Sequence, residues 1–132
     1  MSVDRLSIML NSIKNAAMAH KEIVEVMHTK ECDAVAKLLK ARGFLSEVKT
    51  FKPKELSYKM LNLKLAYEGM EPVVTDVKRV SKPGRRIYKG YSDLHKISAG
   101  LGLSVVSTSR GIMAAEEAKK KKLGGEVICE VR

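Results

Sequence analysis

The chain has 132 residues, 45% hydrophobic and 30% charged, with 25 Lys and Arg against 15 Asp and Glu for a net charge of +10 and a pI near 9.7. That balance suits one or two small soluble modules with a core, and the excess of positive charge calls for a polyanionic partner, nucleic acid or an acidic membrane surface. A membrane span is not expected, because no apolar run approaches the roughly 18 residues one needs. Nor does the N-terminus show the charged, apolar, small-residue progression of a signal peptide.

Leu6, Met9, Leu10, Ile13 and Ala17 recur at three- and four-residue steps and predict a helix over 4–19, capped by Ser2 or Asp4. Ile23–Met27 reads as a short strand. Thr29 then caps a helix over Lys30–Arg42, with Glu31 and Asp33 in its first turn, Cys32, Val35, Leu38 and Leu39 inward, and Gly43 ending it. Phe44–Phe51 is the next strand, and Tyr58–Leu65 the one after. In the latter Leu61, Leu63 and Leu65 alternate with Asn62 and Lys64, as in a half-buried antiparallel strand. Tyr67–Pro72 breaks the pattern as a boundary or hairpin connection. The expected fold is therefore α+β in two small α/β modules: helix-strand-helix-strand-strand over 1–70, then a mostly β unit with short helices over 71–132.

In the second half Val73–Val80 and Arg85–Lys89 read as strands returning through a Pro83-Gly84 turn of type II. Six basic residues and no acid lie between Lys78 and Lys89. With Tyr88 beside Arg86, this run has the basic and aromatic texture of an RNA surface. Ser92 begins one helical turn to Ile97. Gly100 and Gly102 do not make a dinucleotide fingerprint, since no third glycine and no helix follow.

Leu103, Val105 and Val106 then lead into Ser107-Thr108-Ser109-Arg110-Gly111. Three consecutive hydroxyls, a guanidinium fork and a glycine suit phosphates, sugar hydroxyls and base edges alike. A short charged helix, Gly124-Gly125 and a strand alternating Val127, Cys129 and Val131 follow. Lys119 to Lys122 read as a solvated face. Cys32 and Cys129 are too far apart for metal-ligand spacing and are expected as buried free thiols in a reducing compartment. No enzyme is expected. Asp93 and His95, two apart in a helical turn, point in different directions, and no nucleophile elbow surrounds Ser107 or Ser109. His20, His28 and His95 lack ligand spacing, so no metal or cofactor is expected.

Ser107-Thr108-Ser109-Arg110-Gly111-Ile112-Met113, Glu117-Ala118 and Gly124-Gly125-Glu126 resemble the C-terminal signature of the small-subunit ribosomal protein eight family. Arg79 to Tyr88 resembles the family's central segment in its bacterial form. Ala99 to Gly102 fits between the two, and Met9-Leu10 and Ile13 to Ala16 resemble its opening helix. The chain departs at Arg5, Ile8 and Asn11, where the family commonly has proline, an acid and threonine. Lys14 and Arg110 exchange one cation for another. The resemblance implies a non-catalytic protein of the cytoplasmic ribosome that binds an irregular helix in the central domain of small-subunit RNA and helps assemble the platform. It implies neighbouring ribosomal proteins as partners, and repression of the protein's own operon messenger by binding a similar structure. By matching position, Ser107 to Gly111 would read the distorted RNA core, with Tyr88 and Gly124-Gly125-Glu126 beside it and Lys14 and Lys30 on the backbone. The alternative from another class is a basic adaptor for acidic proteins or anionic membranes. With no heptad seam or large apolar face, the free chain is expected to be a monomer.

Overall fold

The computed structural model describes residues 4–94 and 102–132. They fall into two compact units, the first running to Thr75 and the second from Asp76 to Arg132.

In the first unit α1 (Arg5–Met18), β1 (Ile23–Met27), α2 (Lys30–Ala41), β2 (Leu45–Phe51) and β3 (Met60–Leu65) follow the expected order. The sheet is antiparallel with β3 in the middle, β1-β3-β2. Leu61 and Leu63 are fully buried, each worth ~1.5–3 kcal/mol on the usual scale for a large aliphatic side chain. α1 packs on β1 and α2 on β2, and the α1 stripe of Leu6, Met9, Leu10 and Ile13 is buried. In α2 the inward set is Cys32, Val35, Ala36 and Leu39; Leu38 is only partly covered. The Asp4 carboxylate accepts from the Ser7 N–H at 3.1 Å, and the Thr29 hydroxyl accepts from the Cys32 N–H at 3.0 Å, so both helices have the side-chain caps their sequences offer.

The three α-helices among the described residues end in the same paired bonds. Gly43 N–H donates to Lys40 and Phe44 N–H to Leu39; His20 and Lys21 repeat the pattern on Ala17 and Ala16, and Lys122 and Leu123 on Lys119 and Ala118. This geometry needs a left-handed residue. Gly43 supplies it at φ +86, but His20 (φ 57) and Lys122 (φ 55) do so with side chains attached. A two-residue hairpin, β4 (Tyr67–Glu68) with β5 (Glu71–Pro72), closes the unit around Gly69 at φ +66.

The second unit is one antiparallel sheet ordered β6 (Val77–Arg79), β10 (Gly125–Val131), β8 (Leu103–Thr108), β9 (Gly111–Ala114), with β7 (Tyr88–Lys89) also paired to β10. Helix α3 (Ala115–Lys120) and a 3-10 turn at Tyr91–Asp93 cover one face, around Leu94, Val106, Met113, Ala118 and Val127. Leu103, Val105, Cys129 and Val131 are buried on the other face, so β8 and β10 read as near-continuous apolar runs.

Several expectations for this half are corrected. Val73–Val80 and Arg85–Lys89 do not form a hairpin with each other. Only Val77–Arg79 and Tyr88–Lys89 are strands, and both lie along the same edge of β10. Pairing them together would have stacked cation against cation, whereas β10 offers Glu130 opposite Lys78 and Glu126 opposite Tyr88. The Pro83-Gly84 turn is held by mutual bonds between Lys82 and Arg85, but Gly84 is not at positive φ, so it is not type II. The helical turn begins at Tyr91 rather than being capped by Ser92; His95 to Ile97 and Gly100-Leu101 lie outside the described residues. β10 does not alternate strictly, because a bulge separates Val127, opposite Val106, from Cys129, opposite Val105. Ile128 is the extra residue and is buried as well.

Cys32 and Cys129 are both free and buried. Burial pushes the Cys129 thiol up to about 12, with nearby Arg79 opposing the shift and Glu130 adding to it. A raised folded value means that the folded state holds the proton more tightly. Its contribution to stability is complete below the unfolded thiol's pKa, about 8.5, and is lost as pH rises toward 12. The melting temperature should therefore fall more steeply above pH 9 in the wild type than in Cys129→Ala, measured side by side. Parallel curves would mean that the folded thiol ionises as readily as the unfolded one, and that burial does not raise its pKa.

Candidate nucleic-acid interface

The Ser107 to Gly111 segment is tighter than a loop. Ser107 and Thr108 are the last residues of β8, Gly111 opens β9, and Thr108 pairs with Gly111. Only Ser109 and Arg110 form the connection, and both are exposed. Neither has positive φ; the left-handed residue is Gly111, at φ +113. A Cβ there would meet nothing within 4 Å, so glycine is required by backbone conformation alone. The Thr108 hydroxyl accepts from the Arg110 N–H at 3.2 Å and donates to the Gly111 carbonyl at 2.8 Å. Thr108 thus spends its hydroxyl on the turn. Among the described residues the Ser107 and Ser109 hydroxyls have no protein partner, and Ser109 stands at the tip.

The sheet extends this tip into a surface. Across the strands Ile112 faces Ser107, Ser107 faces Glu126, and Glu126 faces Tyr88. Directly opposed residues of an antiparallel ladder share a face, so these four form one row. Tyr88 is 69% exposed, leaving its ring available for stacking. One guanidinium nitrogen of Arg86 lies 3.0 and 3.3 Å from the two Glu126 oxygens. Half-exposed pairs of this kind contribute little stability, ~0–1 kcal/mol. The electrostatic effect is more useful: it neutralises a carboxylate that would repel phosphate.

Gly124 and Gly125 are explained by space. A Cβ on Gly124 would come 2.7 Å from the Lys89 carbonyl oxygen and 2.9 Å from the Gly90 Cα. One on Gly125 would overlap the Ser107 carbonyl oxygen and lie 2.9 Å from its carbon. The second glycine therefore lets β10 press against the backbone of the Ser107–Thr108 segment.

The structure gathers Arg86, Tyr88, Ser107 to Gly111 and Gly124 to Glu126 into the second unit. Lys14, half-covered on α1, and Lys30, exposed at the first position of α2, belong to the first. A cation at a helix N-terminus opposes the dipole, and Glu31 and Asp33 beside Lys30 compensate. Sequence reading passed over Tyr91, which is 44% exposed and whose backbone adjoins Gly124. Its spacing of three from Tyr88 was the available signal. Among the described residues no group of three or more His, Cys, Asp or Glu is gathered as a metal would require, and no helix is long and apolar enough to cross a membrane.

Fold and surface together define a class: a two-unit α+β protein whose second unit displays short polar and aromatic groups on a rigid sheet. The sequence model of the family described as ribosomal protein S8 matches residues 4–132. Small ribosomal subunit protein uS8 of Nautilia profundicola is 42% identical over 123 residues, covering 92% of each chain. The uS8 protein of Nitratidesulfovibrio vulgaris is 39% identical over 99% of each chain. The uS8c protein of Thalassiosira pseudonana is 38% identical, again over 99% of each. This chain belongs to the ribosomal protein S8 family. It is a structural ribosomal protein and not an enzyme.

Proposed function

We propose that the chain binds small-subunit ribosomal RNA directly, at an irregular helix of the central domain, and helps assemble the platform of the subunit in the cytoplasmic ribosome. The residues 71–132 form its RNA-binding module, and the free protein is a monomer. The observation that carries this reading is the row from Tyr88 through Glu126 to Ser107, ending at the exposed Ser109-Arg110 tip. A regular A-form helix hides its base edges, so specific reading needs distorted RNA, short polar side chains and a stacking platform. Ser107 and Ser109 supply the polar groups, Tyr88 the ring, and Arg110 a bidentate donor. Arg86, Lys14, Lys30 and the net charge of +10 supply the sequence-independent part of affinity. Gly111, Gly124 and Gly125 hold the geometry. The same surface accommodates a similar fold in the operon messenger, which is the basis for translational repression.

The adaptor reading calls for an amphipathic basic surface helix. α1 instead buries its apolar stripe and carries only Arg5 and Lys14 as cations. The test is filter binding of the purified chain to a central-domain RNA fragment in excess tRNA. Retention is expected to survive the competitor. Loss to tRNA, with tight binding to anionic vesicles, would overturn the proposal in favour of the adaptor.

A further inference from the structure

Between β6 and β7 the chain leaves the edge of β10 as a loop, and this loop is built rather than slack. Ser81 is 1% exposed although polar. Its hydroxyl accepts from the Ile87 N–H at 2.9 Å and donates to the Ile87 carbonyl at 3.4 Å. The N–H groups of Val80 and Ser81 both donate to the carbonyl of Ile128, the bulge residue of β10. Lys82 and Arg85 exchange backbone bonds across Pro83-Gly84. The Arg79 guanidinium donates to the Ser81 carbonyl. Beside the loop lies a concavity of about 450 Å³ lined by Lys78, Arg79, Lys82, Arg85 and Lys89, with Glu130 the one acid among the described lining residues. Among the described residues Lys78, Lys82, Arg85 and Lys89 have no ion-pair partner. Cations held this close repel one another unless an anion sits among them. A preordered loop then binds that anion without a further ordering cost.

The pleat fixes where this cleft stands relative to the hairpin tip. Lys78 opposes Glu130, which opposes Ser104, and Lys89 opposes Gly125. Alternation puts these positions on the face opposite Tyr88, Glu126 and Ser107. The geometry points to a second anion site in this unit: a basic cleft that takes the phosphodiester backbone of an RNA segment distinct from the one read by Ser109 and Tyr88. This rests on the RNA-binding reading above and adds to it a sequence-independent clamp at the edge of the sheet, with Lys78 and Lys89 on the face away from Tyr88.

The test uses the full chain, a central-domain RNA fragment and an unrelated structured RNA. Lys78→Gln/Lys82→Gln/Arg85→Gln should weaken binding to both RNAs by the same factor. It should also lower the slope of log affinity against log salt by about two to three units, at roughly 0.9 per phosphate contact. Glu130→Gln should tighten both, by up to about fivefold, a gain that a purely structural role does not produce. Because both native thiols are buried, Arg85→Cys or Ser109→Cys can carry a tethered hydroxyl-radical source. Cleavage from 85 should map to nucleotides apart from those reached from 109. An unchanged salt slope in the folded triple variant would overturn the cleft, as would coincident cleavage maps. If Ser109→Ala still lowers specific affinity in that case, the RNA-binding reading stands and only the cleft fails. A wild type that does not retain the central-domain fragment overturns both.

Discussion

Gly125→Ala is expected to destabilise the second unit by about 3 kcal/mol or more, the upper part of the range for forced overpacking. The added methyl would meet backbone, the Ser107 carbonyl and the Thr108 Cα at 3.2 Å, and backbone cannot rotate aside. β10 must then separate from β8 next to the Ser109-Arg110 connection, and on the proposed function RNA affinity is expected to fall with stability. Gly84→Ala is the control. It has nothing within 4 Å and no positive φ, and should stay within about 0.5 kcal/mol of wild type. Denaturant melts of the two variants decide the matter. A Gly125→Ala protein as stable as wild type would show that β8 and β10 tolerate a wider spacing, and that this glycine serves something other than close packing.

Ser109→Ala is expected to leave the fold intact and weaken specific RNA binding by about 5- to 150-fold. An RNA polar group left without its partner costs ~1–3 kcal/mol, and 1.4 kcal/mol is a factor of ten. No charge is lost, so the salt slope should not change. Arg110→Gln should behave differently, lowering the slope by up to about one unit if the guanidinium meets phosphate. A base contact by Arg110 would instead relax specificity and leave the slope nearly unchanged. Thr108→Val provides the contrast within the turn. Its hydroxyl bonds Arg110 and Gly111, so its loss should disorder the tip and lower stability and affinity together. Melting temperature and affinity at several salt concentrations, on the same samples, separate these patterns. Full affinity in a folded Ser109→Ala protein would remove that hydroxyl from the interface.

The helices, their caps and the central strand of the first unit were legible in the sequence, because each is set by neighbours close in the chain. Leu6, Met9, Leu10 and Ile13 mark one helical stripe, and Thr29 sits three residues before the N–H it accepts. Leu61, Leu63 and Leu65 alternate as a strand with one buried face must. The signature around Ser107 and Gly124 also pointed to the right family, since it is contiguous along the chain.

The second unit was decided elsewhere. Nothing within Lys78 to Lys89 says that its two strands share a third strand's edge; that edge is β10, some forty to fifty residues away, which places Glu130 and Glu126 opposite them. Gly111 to Ala114 was not foreseen as a strand, because four residues that begin with a glycine become one only by pairing with β8. Ile128 breaks an alternation that local pattern could not know to break, and its carbonyl holds the basic loop. Gly125 carries no positive φ and looks like any turn glycine; only the Ser107 backbone pressed against it shows why it has no side chain. Local periodicity fixes an element's kind, but strand partners, bulges and close approaches are long-range choices. They are settled by which pairing buries apolar faces while keeping like charges apart.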